Sequence, residues 1–299
     1  MPNLQDLPVF ADRWGYLYLE YGTLDQDAAS VSFSNAQGSM RLPIDQCAMV
    51  LLGPGTSITH AATRTMAKNN CLLCCTGEGG IRWYSFGTGG THSSHRLLFQ
   101  ARLYADESQR LEVARRMFSK RFAVPPDATL QQMRGMEGSR VRREYKELAD
   151  TFGVEWKGRN YDQGNWDWAD PVNRALSAAN ALLYGMCHAA ILSAGYSAAI
   201  GFIHTGKMLS FVYDVADFYK TELTVPVAFE VVSEGVSDLE RRVRKKCRTA
   251  FFHARLSQRI LPDIAEVLNA PDDLEERSGE LEGRAVSLAD RTGGGDISG

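Results

Sequence analysis

The 299-residue sequence predicts an α+β chain of two domains, a small β-rich N-terminal domain over residues 1–90 and a larger all-α domain over residues 91–270. Three observations predict it. Short apolar and aromatic runs, punctuated by Gly and Asn, fill the first part in the manner of strands and turns. From His95 onward the apolar residues recur at helical spacing, with few β signals. Beyond Pro271 the chain becomes charged and Gly-rich, so residues 271–299 read as a disordered tail.

Taken in order, strands are expected at 14–21, 30–34, 40–42, 48–52, 71–75 and 81–86. A short helix over 57–68, capped by Ser57, interrupts them. Gly77-Glu-Gly79-Gly80 lacks the spacing and the following Lys-Ser/Thr of a nucleotide loop, and reads as a hairpin turn. Gly87-Thr-Gly-Gly90 makes a hinge. Amphipathic helices follow at 97–105 and 108–122, and Pro125-Pro126 breaks the chain. The segment 130–152 is a long helix striped by Met133, Met136, Val141, Tyr145, Leu148 and Phe152. A loop rich in Trp, Asn and Asp covers 161–171. Residues 173–194 are Ala-rich, interrupted by Ser177, Asn180, His188 and Ser193, which suits a close-packed core helix rather than a membrane span. Residues 209–223 are helix-length, and 237–270 holds two further helical segments.

Charge narrows the partners. Net charge is −3, yet the tail alone carries Asp272, Asp273, Glu275, Glu276, Glu280, Glu282, Asp290 and Asp296 against Arg277, Arg284 and Arg291. That is −5, which leaves +2 on the body, with its bases clustered. A local basic patch matters more for binding phosphate than the global sum. The N-terminus has neither a basic start nor an apolar run, so no secretory signal is read there. Cys47, Cys71, Cys74, Cys75, Cys187 and Cys247 sit mostly in apolar runs, and the single CxxC has no second pair at zinc spacing. Reduced thiols in a cytoplasmic protein are expected.

The candidate chemistry centres on Ala198-Ala-Ile-Gly-Phe-Ile-His204-Thr-Gly-Lys207 and the segment after it. An apolar approach delivers His204 to a Gly-containing turn. In the next segment Ser210, Asp214, Asp217 and Thr221 form one polar stripe on an otherwise apolar helix. Such a helix is buried, and its polar stripe must satisfy itself or hold something. Glu137 lies at the edge of the apolar stripe of 130–152, with Arg134 and Arg140 one turn away as salt-bridge partners. Each residue alone has an ordinary structural reading, as an ion pair, a core histidine or a turn brace. Together Glu137, His204 and Asp217 supply two carboxylates and a neutral imidazole, a donor set for Mg²⁺ or Mn²⁺. Three basic clusters accompany them: Arg134, Arg140, Arg142, Arg143 and Lys146; Arg241, Arg242, Arg244, Lys245, Lys246 and Arg248; Arg115, Arg116, Lys120 and Arg121. Tyr161, Trp166, Trp168 and Tyr184 can stack on exposed bases, although Tyr184 equally suits core packing.

Met136-Glu-Gly-Ser-Arg-Val-Arg142, Ala175-Leu-Ser-Ala-Ala-Asn-Ala-Leu-Leu-Tyr-Gly185 and Gly201-Phe-Ile-His-Thr-Gly-Lys207, followed by Ser210-Phe-Val-Tyr-Asp-Val-Ala-Asp217, resemble a known family. It is the CRISPR-associated integrase of spacer acquisition, the first Cas protein, and its I-E subtype is the most similar. Tyr21-Gly22, Pro54-Gly-Thr56, His60-Ala-Ala62 and Arg115-Arg-Met-Phe118 extend the likeness to about residue 270. The resemblance implies that the N-terminal domain makes a homodimer and that Glu137, His204 and Asp217 bind Mg²⁺ or Mn²⁺. Asp214 and Lys220 would stand beside that site. It further implies that Tyr21 brackets the end of the protospacer duplex, that Arg82, Arg244 and Arg248 hold DNA backbone, and that Tyr161 and Tyr184 meet a splayed strand. The implied reaction joins a free 3′-hydroxyl of incoming DNA to the leader–repeat boundary, without a protein nucleophile, and its reverse nicks branched DNA. The implied partner is a dimer of the second CRISPR adaptation protein, giving a heterohexamer, with no membrane involved. A stand-alone structure-specific nuclease and a non-catalytic DNA-binding scaffold are the alternatives.

Overall fold

The computed structural model describes residues 13–80, 83–87, 94–159 and 170–271. Among the described residues eight strands come first: β1 Trp14–Leu19, β2 Gly22–Asp27, β3 Ser30–Asn35, β4 Gly38–Leu42, β5 Cys47–Leu52, β6 Thr56–Ile58, β7 Leu72–Thr76 and β8 Trp83–Gly87, with helix α1 His60–Lys68 between β6 and β7. They form two four-stranded sheets, ordered β1-β5-β7-β8 and β4-β3-β2-β6. In the first, β5 runs parallel to β1 and β7, so it is covered on both faces, and all six of its residues are buried. The second sheet is mostly antiparallel and buries Leu24, Val31, Phe33 and Leu42 in a small core of its own with Val50 and Met66.

Two expectations change here. Strand β2 (Gly-Thr-Leu-Asp-Gln-Asp) is polar except for Leu24, so composition hid it. The helix cap is Thr59, whose hydroxyl accepts from the Ala62 amide, while Ser57 lies in β6.

Helices make up the rest of the described chain: α2 His95–Ala105, α3 Glu107–Ser119, α4 Leu130–Phe152, α5 Pro171–Ser193, α6 Ser210–Ala216, α7 Val225–Ser233, α8 Leu239–His253 and α9 Leu256–Leu268. Helix α4 starts with a reciprocal cap between Thr129 and Gln132 and ends at Gly153 in the left-handed conformation. Helix α5 starts at Asp170, whose carboxylate accepts from the Val172 and Asn173 amides, with Pro171 in the first turn.

Helix α5 is the axis of the helical region. It is long and apolar enough to cross a membrane, but 83% of its apolar window is buried against protein. Its small residues admit neighbours at close range: a Cβ on Gly185 would fall 2.4 Å from Met49 Sδ of β5 and 2.9 Å from the Trp83 ring of β8. Consequently one face of the first sheet (Tyr16, Met49, Leu51, Leu72, Cys74) shares a core with α5 and its surrounding helices. The expected helix over 209–223 is interrupted. Helix α6 ends at Ala216, and a π-helical turn over Lys220–Thr224 leads into α7. That break separates Asp214 and Asp217 into different surroundings.

Candidate active site

Asp214 is fully buried on α6 and organises the turn before it. Its Oδ2 accepts from the amides of Phe202 (2.6 Å) and Ile203 (3.1 Å), and its Oδ1 accepts from the amide of His204 (2.8 Å). The same Oδ1 lies 2.8 Å from His204 Nδ1. A carboxylate only accepts, so Nδ1 carries the proton and Nε2 is left as the acceptor or ligand atom. This bond holds the His204 pKa above its ordinary value against the opposing effect of burial. Arg134 braces the turn from α4, its Nη2 donating to the Ile203 carbonyl at 2.5 Å.

The chain closes on itself so tightly here that a side chain at 201 has no room. A Cβ on Gly201 would sit 2.4 Å from the His204 carbonyl oxygen and 2.8 Å from the Ser210 carbonyl carbon, both backbone atoms. Gly201→Ala is therefore expected to cost about 2–3 kcal/mol. Urea unfolding measures it, and a wild-type midpoint would refute the clash.

Glu137 on α4 and Asp217 at the end of α6 converge on one cation. Arg121 Nη1, just past α3, pairs with Glu137 Oε1 and lies 3.5 Å from Asp217 Oδ2. Lys220 Nζ reaches Asp217 Oδ1 at 2.6 Å and stands 4.8 Å from the Tyr184 ring centroid. Burial raises the Glu137 pKa above the ordinary glutamate value, more than Arg121 lowers it. Burial also pushes Asp217 upward, but Lys220 and Arg121 outweigh it and hold this carboxylate below its ordinary value. Lys220 is raised, because Asp217 and the Tyr184 phenol outweigh its own desolvation. Asp217 and His204 perturb one another electrostatically and both perturb Glu137, so the three share one neighbourhood.

Among the described residues no three His, Cys, Asp or Glu side chains stand as a ready-made metal cage. Arg121 lies between the two carboxylates, and the His204 ring leans on Asp214. The donors nonetheless fit a hard divalent ion: two carboxylates that already converge on one cation, and an imidazole whose Nδ1 is tied back, as metal-binding histidines require.

The ion pair expected for Glu137 with Arg134 or Arg140 does not form. Arg134 is turned to Ile203, and Arg140 pairs with Glu144 one turn further along α4. Glu137 instead meets Arg121, a member of the third basic cluster. That whole cluster is spent internally: Arg115 donates to the Pro125 and Ala128 carbonyls, Arg116 to Val267, and Lys120 pairs with Asp263 and Glu266. One signal in the sequence could have revealed Arg121. It stands four residues after Met117 and three after Phe118, in register with the buried stripe of α3.

The candidate DNA residues divide. Tyr21 is 66% exposed, projecting from a left-handed backbone (φ 53°) beside β2. Tyr184 is half-buried beside Lys220 and packs edge-on against Tyr213. Arg244 lies over the Tyr18 ring at 4.2 Å, and Arg248 lies over Tyr16 and donates to its carbonyl, so both join α8 to β1. Arg82 and Tyr161 fall outside the described residues.

A β-rich region followed by a helical one makes this a mixed α+β protein, and its helices gather two carboxylates, an imidazole and a lysine at one site. The sequence model of the family described as CRISPR associated protein Cas1 matches residues 16–125 and 120–261. The chain is 43% identical over 311 residues to CRISPR-associated endonuclease Cas1 2 of Thermus thermophilus, covering 98% of this chain and 96% of that protein. It is 44% identical over 262 residues to CRISPR-associated endonuclease Cas1 of Escherichia coli, covering 87% and 86%. The solved structure of a TtCas1–DNA complex superposes with a TM-score of 0.79 at 45% identity, over 86% of this chain and 92% of that one. This chain belongs to the Cas1 family.

Proposed function

We propose that this chain is a metal-dependent DNA integrase and endonuclease of CRISPR spacer acquisition, of the I-E subtype. It works in the cytoplasm as a homodimer that joins a dimer of the second adaptation protein in a heterohexamer. The observation that carries the reading is the convergence of Glu137, Asp217 and Lys220 beside an imidazole fixed by Asp214, in a chain whose relatives are named endonucleases. Glu137, Asp217 and His204 Nε2 would hold Mg²⁺ or Mn²⁺. When bound, such an ion activates an attacking hydroxyl and neutralises charge at the phosphate. Asp214 aims Nε2 and, by holding the proton on Nδ1, leaves the lone pair of the neutral ring on Nε2. Lys220 remains cationic near neutral pH and keeps Asp217 ionised. In this reading, and by resemblance alone, Tyr21, Arg82, Arg244 and Arg248 meet duplex DNA, and Tyr161 and Tyr184 a splayed strand; Arg244 and Arg248 would do so while also holding α8 to β1.

The test is joining of a short duplex with free 3′-hydroxyls into a supercoiled plasmid bearing the repeat, with and without the partner. Joined product is expected with Mg²⁺ or Mn²⁺, and Asp217→Ala is expected to reduce it at least about 100-fold while remaining folded. Hydrolysis without any joining would leave a stand-alone nuclease. Wild-type joining by a folded Asp217→Ala protein would remove the metal site.

A further inference from the structure

We infer that Arg121 is a positioning residue that occupies the metal's place between Glu137 and Asp217, so that a divalent cation binds only by displacing its guanidinium. The inference rests on the metal reading above and goes beyond it. Arg121 is 2% exposed in its side chain, and its Nη1 is shared by the two carboxylates proposed as ligands. Two carboxylates brought together away from water need a compensating cation, and the chain supplies its own.

The rest of the side chain is built for this position. Nε donates to the Met117 carbonyl at 3.1 Å, and the guanidinium lies 4.7 Å from the Phe118 ring centroid. Its other terminal nitrogen, Nη2, is buried with no hydrogen-bond partner among the described residues. A guanidinium buried only for structural ends ordinarily satisfies all its donors. Leaving one unmade lowers the cost of moving the head group away. Lys220 sits on the opposite oxygen of Asp217 and keeps one charge there when Arg121 leaves. A guanidinium and a divalent ion cannot share the same oxygens at ligand distance, because like charges repel and each needs the same lone pairs. Metal binding and Arg121 are therefore competitors.

The expected result is tighter metal binding on removing the guanidinium. Mn²⁺ titration of the full-length protein, followed by electron paramagnetic resonance, should give Arg121→Gln and Arg121→Met an affinity at least about tenfold above wild type. Glu137→Gln should bind worse than wild type. Phenylglyoxal labelling read by mass spectrometry gives a second measurement on the unmutated protein: Arg121 should be protected without metal and react faster with Mg²⁺. Unchanged or weaker Mn²⁺ binding in folded Arg121 variants overturns the inference, as does labelling of wild type that Mg²⁺ leaves unaltered. Should the variants not fold, the labelling result decides. If wild type itself binds no Mn²⁺ and Glu137→Gln changes nothing, the metal reading falls and takes this inference with it.

Discussion

Asp214→Ala is expected to cost at least about 4 kcal/mol and to abolish DNA joining, although Asp214 touches no substrate in the reading above. Its carboxylate is the shared acceptor for the amides of Phe202, Ile203 and His204 and for the His204 ring. Alanine would leave three buried or half-buried N–H groups without a partner, each costing about 1–3 kcal/mol. It would also free the imidazole to take the other tautomer, placing a proton on the atom proposed to meet the metal. Asp214→Asn tests the two effects separately. One amide oxygen can still receive two of the backbone donors, but the NH₂ must face the other two. The stability loss should fall to about 3 kcal/mol while joining remains lost. Urea unfolding and the joining assay measure the pair. Near-wild-type stability for Asp214→Ala would show that the turn over 201–204 is held by something else.

The residues of this site were legible in the sequence to different degrees, for physical reasons. His204, Asp214 and Asp217 stood out because polar groups on a nearly all-apolar segment must be satisfied, and each is satisfied by a specific partner. What that rule could not supply was the partner. Periodicity placed Asp214 and Asp217 on one face of an unbroken helix, whereas the break after Ala216 sends one to the His204 turn and the other to Arg121 and Lys220. Arg121 was hidden because charge runs look alike whether solvated or buried, and its contact with Glu137 spans two helices. The same limit explains strand β2, whose order comes from pairing with β3 and β6 rather than from its own composition. Helix α5 was legible as core because its small residues recur throughout. Of the polar residues that interrupt it, Asn180 accepts from the Thr224 hydroxyl, and Ser177 and Ser193 bond back to their own helix. His188 has no such outlet.

His188 should make the protein acid-sensitive at the joint between its sheet and its helices. The ring is fully buried on α5, packed edge-on against Phe86 at 4.3 Å and stacked with Trp83 at 6.3 Å, both residues of β8. Neither ring nitrogen has a hydrogen-bond partner among the described residues, and burial pushes the pKa down to about 4. In the unfolded chain the value returns to about 6.5, so between these values the unfolded state binds the extra proton. No protonation penalty therefore applies above about pH 6.5, and stability drains away as pH falls from there toward 4. At pH 5 the difference is about 1.5 pH units, or about 2 kcal/mol, rising to about 3 kcal/mol below pH 4. His188→Leu keeps an apolar group of similar reach and removes the titration. At pH 7.5 its unfolding free energy should lie within about 1.5 kcal/mol of wild type. At pH 5 it should have gained about 2 kcal/mol on wild type relative to that starting point. Parallel stability–pH curves for the two proteins would mean that the proton reaches His188 in the folded state. In that case the joint between β8 and α5 opens to water more readily than the buried ring implies.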